Sequence, residues 1–257
     1  SFFIFFLLSA AEVLSYEKPN FVSLSQLVVG NEEWNLANQS PLVAPSILHD
    51  LTTSSALPIN WYLRYDAIKD NLISDMIKKY SSSYPDQQIG AFLEITPDLI
   101  KDSNLKNRFR FLSSYQNKDR KIIIDQFMKV FLSTFGSYPQ TVFLSHTDPV
   151  STLYLNQKYQ VTSILIEGKN DYSLPYTPNI DNPYMPSFSS SQTLPVVISQ
   201  WSGQSIKQND INQFTYKNIG LDNTTSIEKY QKITTQIVEQ LIYLRDKKEI
   251  SLTNQND

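Results

Sequence analysis

Residues 59–80 read INWYLRYDAIKDNLISDMIKKY, and the order of patterns inside this stretch decides the fold class. Ile59–Tyr65 is a short run of apolar, aromatic and β-branched side chains, of strand length and strand composition. Directly after it, Ala67–Tyr80 repeats Ile68, Leu72, Ile73, Met76 and Ile77 along one face of a helix. Asp66 stands at the junction. The same order recurs along the chain. Strand-like runs cover Phe21–Val29, Ile89–Ile95, Thr141–Ser145, Val161–Ile166 and Leu194–Gln200. Helical patterns cover Lys118–Phe135, with Gly136 as its C-cap, then Ser151–Tyr159, and Ser226–Lys248 with Ser226 at the N-cap. Strand–helix alternation predicts an α/β fold, a parallel sheet whose connections are helices. Six readable strands fall short of an eight-stranded barrel. A distorted (β/α) barrel with parallel strands and outer helices is the first expectation, and an open doubly wound sheet is the second. Residues 19–250 are expected to form this single domain, followed by a polar tail over 251–257.

The chain of 257 residues has 41% apolar and 18% charged residues, enough apolar material for one large core. Its six glycines, at 30, 90, 136, 168, 203 and 220, never lie closer than 17 residues apart. That spacing excludes a G-x-G-x-x-G fingerprint, a Walker A loop and a G-x-S-x-G elbow. The absence of cysteine removes disulfides, thiolate metal sites and thiol catalysis. His49 and His146 are 97 residues apart and cannot form an H-E-x-x-H motif. A net charge of −3, spread without blocks, shows no basic stripe for nucleic acid. At the beginning, Phe2–Leu8 (FFIFFLL) followed by Ser9-Ala10-Ala11 resembles the end of a secretory signal. Seven residues are too few to span a bilayer, which needs about 20. Residues 1–18 are therefore expected to be a signal-peptide remnant or membrane anchor. The protein is expected to be exported, extracellular or in the cell envelope, with N-terminal membrane association left open.

Polar residues cluster where strands end. Asp66 follows Tyr65, Glu94 follows Leu93, His146 and Asp148 follow Ser145, Glu167 follows Ile166, and Trp201 follows Gln200. In a parallel β/α sheet these ends open onto one face, where active sites are built. Converging carboxyls suit glycosidic chemistry, with one as acid and another as nucleophile or base. They equally suit a metal held by oxygen ligands and one histidine. Glu94, among Phe92, Leu93 and Ile95, is the expected acid, because apolar surroundings favour a protonated carboxyl. Asp148 or Asp66 is the expected nucleophile or base, although Asp66 also stands where a helix N-cap belongs. His146 lies two residues from Asp148, on the same side of an extended segment, and would orient it. The Pro-rich stretch Gly168–Thr193 carries Tyr172 and Tyr176, which with Trp201 would offer aromatic faces to sugar rings. Glu167 joins them as a candidate substrate-binding residue.

Four segments carry a family resemblance: LPINWYLRYDA (57–67), IGAFLEITPDL (89–99), FGSYPQTVFLSHTDPVSTLYLNQKYQVTSILIEG (135–168) and PYTPNIDNPYMP (175–186). Over residues 20–225 the chain resembles exported proteins related to the polysaccharide deacetylase (NodB-like) group. That resemblance implies a distorted seven-stranded β/α barrel shared with certain glycoside hydrolases. It also implies a carbohydrate-active protein whose partner is a polysaccharide or cell-envelope glycan. Deacetylases of the group hold a divalent metal through an Asp of a paired-Asp motif after the first strand and two His of an H-x-x-x-H motif. Here Val29-Gly30-Asn31-Glu32-Glu33 follows the first strand, and Glu94-Ile95-Thr96 ends the strand that might supply the histidines. The metal triad has no counterpart, so no cofactor is expected. Three readings remain: a polysaccharide-acting hydrolase using strand-end carboxylates, a glycan-binding barrel without catalysis, and a deacetylase with a divalent metal on Asp66, His146 and Asp148.

Overall fold

A computed structural model describes residues 20–32, 40–84, 87–109, 111–145, 148–167, 187–189, 192–193, 197–201, 216–221 and 226–252. Seven strands form a parallel ring: β1 (Asn20–Val28), β2 (Ile59–Arg64), β3 (Gln87–Phe92), β4 (Thr141–Leu144), β5 (Ser163–Glu167), β8 (Val197–Trp201) and β9 (Tyr216–Leu221). β1 closes it, pairing with β2 through Leu24–Val28 and with β9 through Phe21–Gln26. The distortion is concentrated between β8 and β9, joined by the single register pair Trp201↔Asn218. A short strand β10 (Ile250–Leu252) pairs with Asn20–Val22 of β1. Phe21 and Val22 pair with both β9 and β10, so these two lie on opposite edges of β1. A two-stranded antiparallel ribbon, β6 (Ser187–Ser189) and β7 (Gln192–Thr193), stands apart from the ring. The expectation of a distorted seven-stranded (β/α) barrel holds.

The helices are α1 (Val43–Thr53), α2 (Tyr65–Lys69), α3 (Asn71–Ser83), α4 (Pro97–Asp102), α5 (Asn117–Phe135), α6 (Pro149–Tyr159) and α7 (Ile227–Asp246). The stretch Ala67–Tyr80, expected as one helix, is two. Asp70 takes an extended backbone between α2 and α3, and its Oδ1 accepts from the N–H groups of Leu72 (2.9 Å) and Ile73 (3.3 Å). That capping bond favours a fresh helix start over continuation. Gly136 ends α5 as expected, at φ 77°, and Ser226 caps α7 through Lys229 N–H. Among the described residues no helix is long and apolar enough to cross a membrane. The run Phe2–Leu8 lies outside them.

Strand periodicity divides the interior in two. On β2, Ile59, Trp61 and Leu63 belong to the large apolar cluster between sheet and helices, whereas Tyr62 belongs to a smaller one with Leu27, Val29, Phe92, Phe143 and Leu165. These six come from alternate positions on or directly after five consecutive ring strands and, among the described residues, form the apolar cluster inside the barrel. The same row of β2 carries Asn60, buried and donating to Ser23 Oγ (2.7 Å) at one end, and Arg64 at the other. Gly90 of β3 makes room for this filling. A Cβ there would sit 2.5 Å from Thr141 Oγ1 and 2.8 Å from the Tyr62 ring. Gly90→Ala is expected to lower stability by about 1–3 kcal/mol through overpacking, read as a lower urea midpoint with unchanged slope.

Where β3 begins, Trp61 Nε1 donates to Gln87 Oε1 (2.9 Å), and Gln87 Nε2 lies 3.4 Å from His49 Nδ1. The imidazole stacks on Tyr80 with ring centroids 3.6 Å apart. Burial here pushes the His49 pKa below its ordinary value of 6.5, against the opposing influence of Asp50 and Gln87. The unfolded chain then binds this proton more readily than the folded one. The contribution is therefore complete above about pH 6.5 and declines as pH falls from there toward the folded-state value. His49→Phe is expected to flatten the melting temperature between pH 7 and pH 5 relative to wild type.

Candidate functional site

The carboxyl ends of β1, β2 and β3 bring together the side chains of Arg64, Asp66 and Glu94 and the backbone of Glu32. At the centre is Arg64, the last residue of β2, with its side chain only 1% exposed. A buried guanidinium is tolerable only if its charge and its donors are all met. Arg64 Nε donates to Asp66 Oδ1 and Nη2 to Asp66 Oδ2, both at 2.8 Å, a two-pronged pair. Nη1 donates to Glu94 Oε2 at 3.1 Å. Nη2 also donates to the main-chain carbonyl of Glu32. Burial by itself would lower the pKa of the guanidinium. The hydrogen bonds and charges of Asp66 and Glu94 overcome that, and the net shift is upward.

Asp66 is saturated. Besides the two arginine donors it accepts from Glu32 N–H (2.9 Å) and Ala67 N–H (3.0 Å), and its side chain is 6% exposed. It does not cap α2; it is the second residue of that helix, with its carboxylate turned to Arg64. Gly30 allows the close approach, because a Cβ there would lie 2.8 Å from the Asp66 carboxyl carbon. Glu32 is tied through its backbone N–H to Asp66 and through its carbonyl to Arg64, while its Oε1 accepts from Asp98 N–H (2.9 Å). Its Oε2 is buried without a hydrogen-bond partner. Glu94 is the more accessible carboxyl on the guanidinium, with its side chain 14% exposed. The Lys69 ammonium beside this cluster bridges Asp98 (3.1 Å) and Asp102 (2.8 Å), and its hydrogen bond holds the Asp102 carboxyl below its usual range.

Asp148 belongs to a different cluster. It caps α6, its Oδ1 accepting from Ser151 N–H (2.9 Å) and Arg120 Nη1 (2.7 Å), and its Oδ2 from Ser151 Oγ (2.7 Å). Arg120 also donates to the carbonyls of Ser113 and Tyr115, both at 2.7 Å, fastening the turn before α5. Of the acids expected from the sequence, Asp66 and Glu94 meet on one guanidinium, and Asp148 pairs with Arg120 and Ser151 instead. Glu167 and Trp201 end β5 and β8 as register partners, but their side chains lie outside the described residues. His146, Tyr172 and Tyr176 lie outside them altogether. Sequence reasoning missed Arg64 and Glu32. A charged residue inside the apolar run INWYLRY, in the same alternating row as Asn60 and Tyr62, was the available signal for Arg64.

The divalent metal that the resemblance implies does not fit these residues. Among the described residues no group of three or more His, Asp and Glu side chains has metal-holding geometry. The oxygens at the ends of β1, β2 and β3 already surround a fixed positive charge, which would repel a second cation.

No protein-family model matches the chain, and no curated protein matches it in sequence. Solved structures do match. A candidate polysaccharide deacetylase from Mycobacterium smegmatis superposes with a TM-score of 0.63 at 8% identity, covering 94% of this chain and 89% of that one. A candidate glycoside hydrolase/deacetylase from Parabacteroides distasonis gives 0.63 at 10% identity, covering 94% and 71%. The allantoinase PuuE gives 0.66 at 9% identity, covering 94% and 90%. With so little shared sequence the likeness is one of fold. The chain shares with these structures the fold of a distorted β/α barrel.

Proposed function

We propose that this barrel is an exported, carbohydrate-active protein, a hydrolase acting on a polysaccharide or cell-envelope glycan at the open ends of β1, β2 and β3. The observation that carries the reading is the pair of carboxylates, Asp66 and Glu94, held on one buried guanidinium at the face where β/α barrels do chemistry. Fold likeness to a candidate polysaccharide deacetylase and a candidate glycoside hydrolase/deacetylase supports a glycan as partner. The apolar run Phe2–Leu8 supports export.

Roles divide according to what each group has left to offer. Asp66, with four donors on its two oxygens, is a positioning residue that fixes the guanidinium. Glu94 is the group that meets substrate. Its Oε2 accepts from Arg64 Nη1 at 3.1 Å, and it is the more exposed of the two carboxyls on the guanidinium. This supports a role for Glu94 as base or nucleophile, in place of the acid role expected from its apolar sequence neighbours. Trp201, Tyr172, Tyr176 and Glu167 remain the proposed sugar-binding residues, with His146 and Asp148 at the neighbouring strand end.

Glycan hydrolysis is measured as reducing ends released, and ester or amide hydrolysis as acetate released, on acetylated and deacetylated chitin, xylan and peptidoglycan. Glu94→Gln is expected to lower kcat by about 100-fold or more with little change in KM, since removing one acid–base group typically costs that much. A folded Glu94→Gln variant with full turnover overturns the assignment. A second reading, glycan binding without turnover, is favoured by the saturation of Asp66 and the capping role of Asp148. It predicts retention on the same insoluble glycans with no product from wild type, binding lost in Trp201→Ala and kept in Glu94→Gln.

A further inference from the structure

The connection from β3 to α5 leaves the carboxyl end of its strand, on the same side of the barrel as Glu94, and returns through α5. Its residues 101–121, KDSNLKNRFRFLSSYQNKDRK, form no unbroken run of charge. They nevertheless hold seven basic and two acidic residues, in a chain with 22 basic and 25 acidic overall. One of the two acids, Asp102, is already met by Lys69 at 2.8 Å. Midway along the connection Lys106, Arg108 and Phe109 are all exposed, Phe109 at 44%. This tip is fastened from beneath. Buried Tyr115 meets the Phe109 ring edge to face, with centroids 5.0 Å apart. Its hydroxyl accepts from Phe109 N–H (2.8 Å) and donates to the Asn107 carbonyl (3.2 Å). The Tyr115 carbonyl accepts from Arg120, which is anchored in turn on Asp148. A surface fixed in this way loses little freedom when it takes a ligand. We propose that Lys106, Arg108 and Phe109, beside the barrel mouth, form a recognition surface for acidic polysaccharide, with uronate carboxylates on the cations and a sugar ring against the phenyl face.

Cations beside an exposed aromatic ring suit a ligand that carries negative charge and a flat apolar face together. A hexuronate has both, a carboxylate borne on a pyranose ring with one face of C–H groups. A neutral sugar offers the face without the charge, and a polyol phosphate the charge without the face. Nucleic acid offers both, but it needs a basic track along its backbone. Outside residues 101–121 acids outnumber bases in this chain. Basic charge gathered at the mouth also acts at a distance, raising the encounter rate of an anionic polymer. α5 begins here as well, and the positive end of its dipole adds to the same field. The inference rests on the glycan reading and narrows the substrate to an acidic polysaccharide.

The test is biolayer interferometry on immobilised polygalacturonate and alginate, each also in carboxyl-reduced form, at low and high NaCl, with single-stranded DNA as a further surface. Wild type is expected to bind the polyuronates about 10-fold or more tighter than the reduced polymers, with the difference shrinking at high salt. The double variant Lys106→Gln, Arg108→Gln is expected to lose about 10-fold, mostly in association rate, with a flatter salt dependence. Phe109→Leu keeps an apolar contact on Tyr115 and removes the ring; it is expected to lose about 3–10-fold at either salt. Phe109→Trp, which keeps a ring, should retain affinity. The double variant Lys247→Gln, Lys248→Gln removes equal charge at the far end of α7 and should bind as wild type does. Melting temperatures check that these surface variants fold, and Arg108→Gln alone carries the charge test if the double variant does not. Equal binding of polyuronate and reduced polymer overturns the proposal and leaves the glycan reading standing. So does a tip variant with wild-type affinity, a distal variant as weak as the tip one, or DNA bound as tightly as polyuronate. Neither binding nor hydrolysis of any of these polymers, or of chitin, xylan and peptidoglycan, overturns both.

Discussion

Putting a full positive charge inside a protein costs several kcal/mol unless ionised partners meet it in good geometry. Arg64 meets that condition, and much of the upper barrel is arranged so that it can. Asp66 gives both of its oxygens, Glu94 gives one, and the turn after β1 bends so that a carbonyl completes the set. Gly30 lacks a side chain where one would strike the Asp66 carboxyl. The break between α2 and α3 at Asp70 leaves α2 only five residues long, directly after the strand that carries Arg64. Removing Asp66 would take away the two-pronged partner of a buried guanidinium, and removing Arg64 would take away the cation on which both carboxylates meet. The cluster therefore behaves as a unit.

Around that unit the barrel is organised in layers. Helices cover the outer face of the ring through a broad apolar cluster, and among the described residues six apolar side chains cluster inside it. Polar groups in the inner rows find partners within the ring, as Asn60 does with Ser23. Those on the outer face reach a helix, as Gln26 does by accepting from Tyr230 of α7 at 2.6 Å. Asp148 and Arg120 do comparable work next to the mouth, holding a helix start and a turn in place. Two arginine–carboxylate centres thus lie at the strand ends. The one on Arg64 joins the ends of three strands, and the one on Arg120 fastens a helix to the turn before its neighbour.

Hydrophobic period made much of this fold readable. The six strand-like runs correspond to β1, β2, β3, β4, β5 and β8, and the end of α5 at Gly136 follows from glycine's freedom at positive φ. β9, YKNIGL, escaped notice because its composition is polar and its identity as a strand comes from pairing with β1. β10 is three residues long and owes its form to pairing with the opposite edge of β1. At the site, Asp66 and Glu94 were visible because a charge after an apolar run stands out. Arg64 was hidden because it lies within the run, and only the paired carboxylates make its burial acceptable. Asp148 carried a legible structural signature, Asp-Pro-x-Ser, which opens a helix with a cap and a proline in its first turn. Its position after β4 drew the chemical reading.

β1 is bordered by strands from far along the chain. Phe21 pairs with Tyr216 in β9 and Asn20 with Ile250 in β10, while β2 follows β1 closely in sequence. Until the final strands are available, one edge of β1 is an open row of amide and carbonyl groups, able to accept any extended segment. Closing the ring means bringing together segments nearly two hundred residues apart, the kind of long-range pairing that makes folding slow. During synthesis the chain therefore spends its most vulnerable interval as an unclosed sheet. β1, the earliest of the ring strands in the chain, is the last one to be fully enclosed.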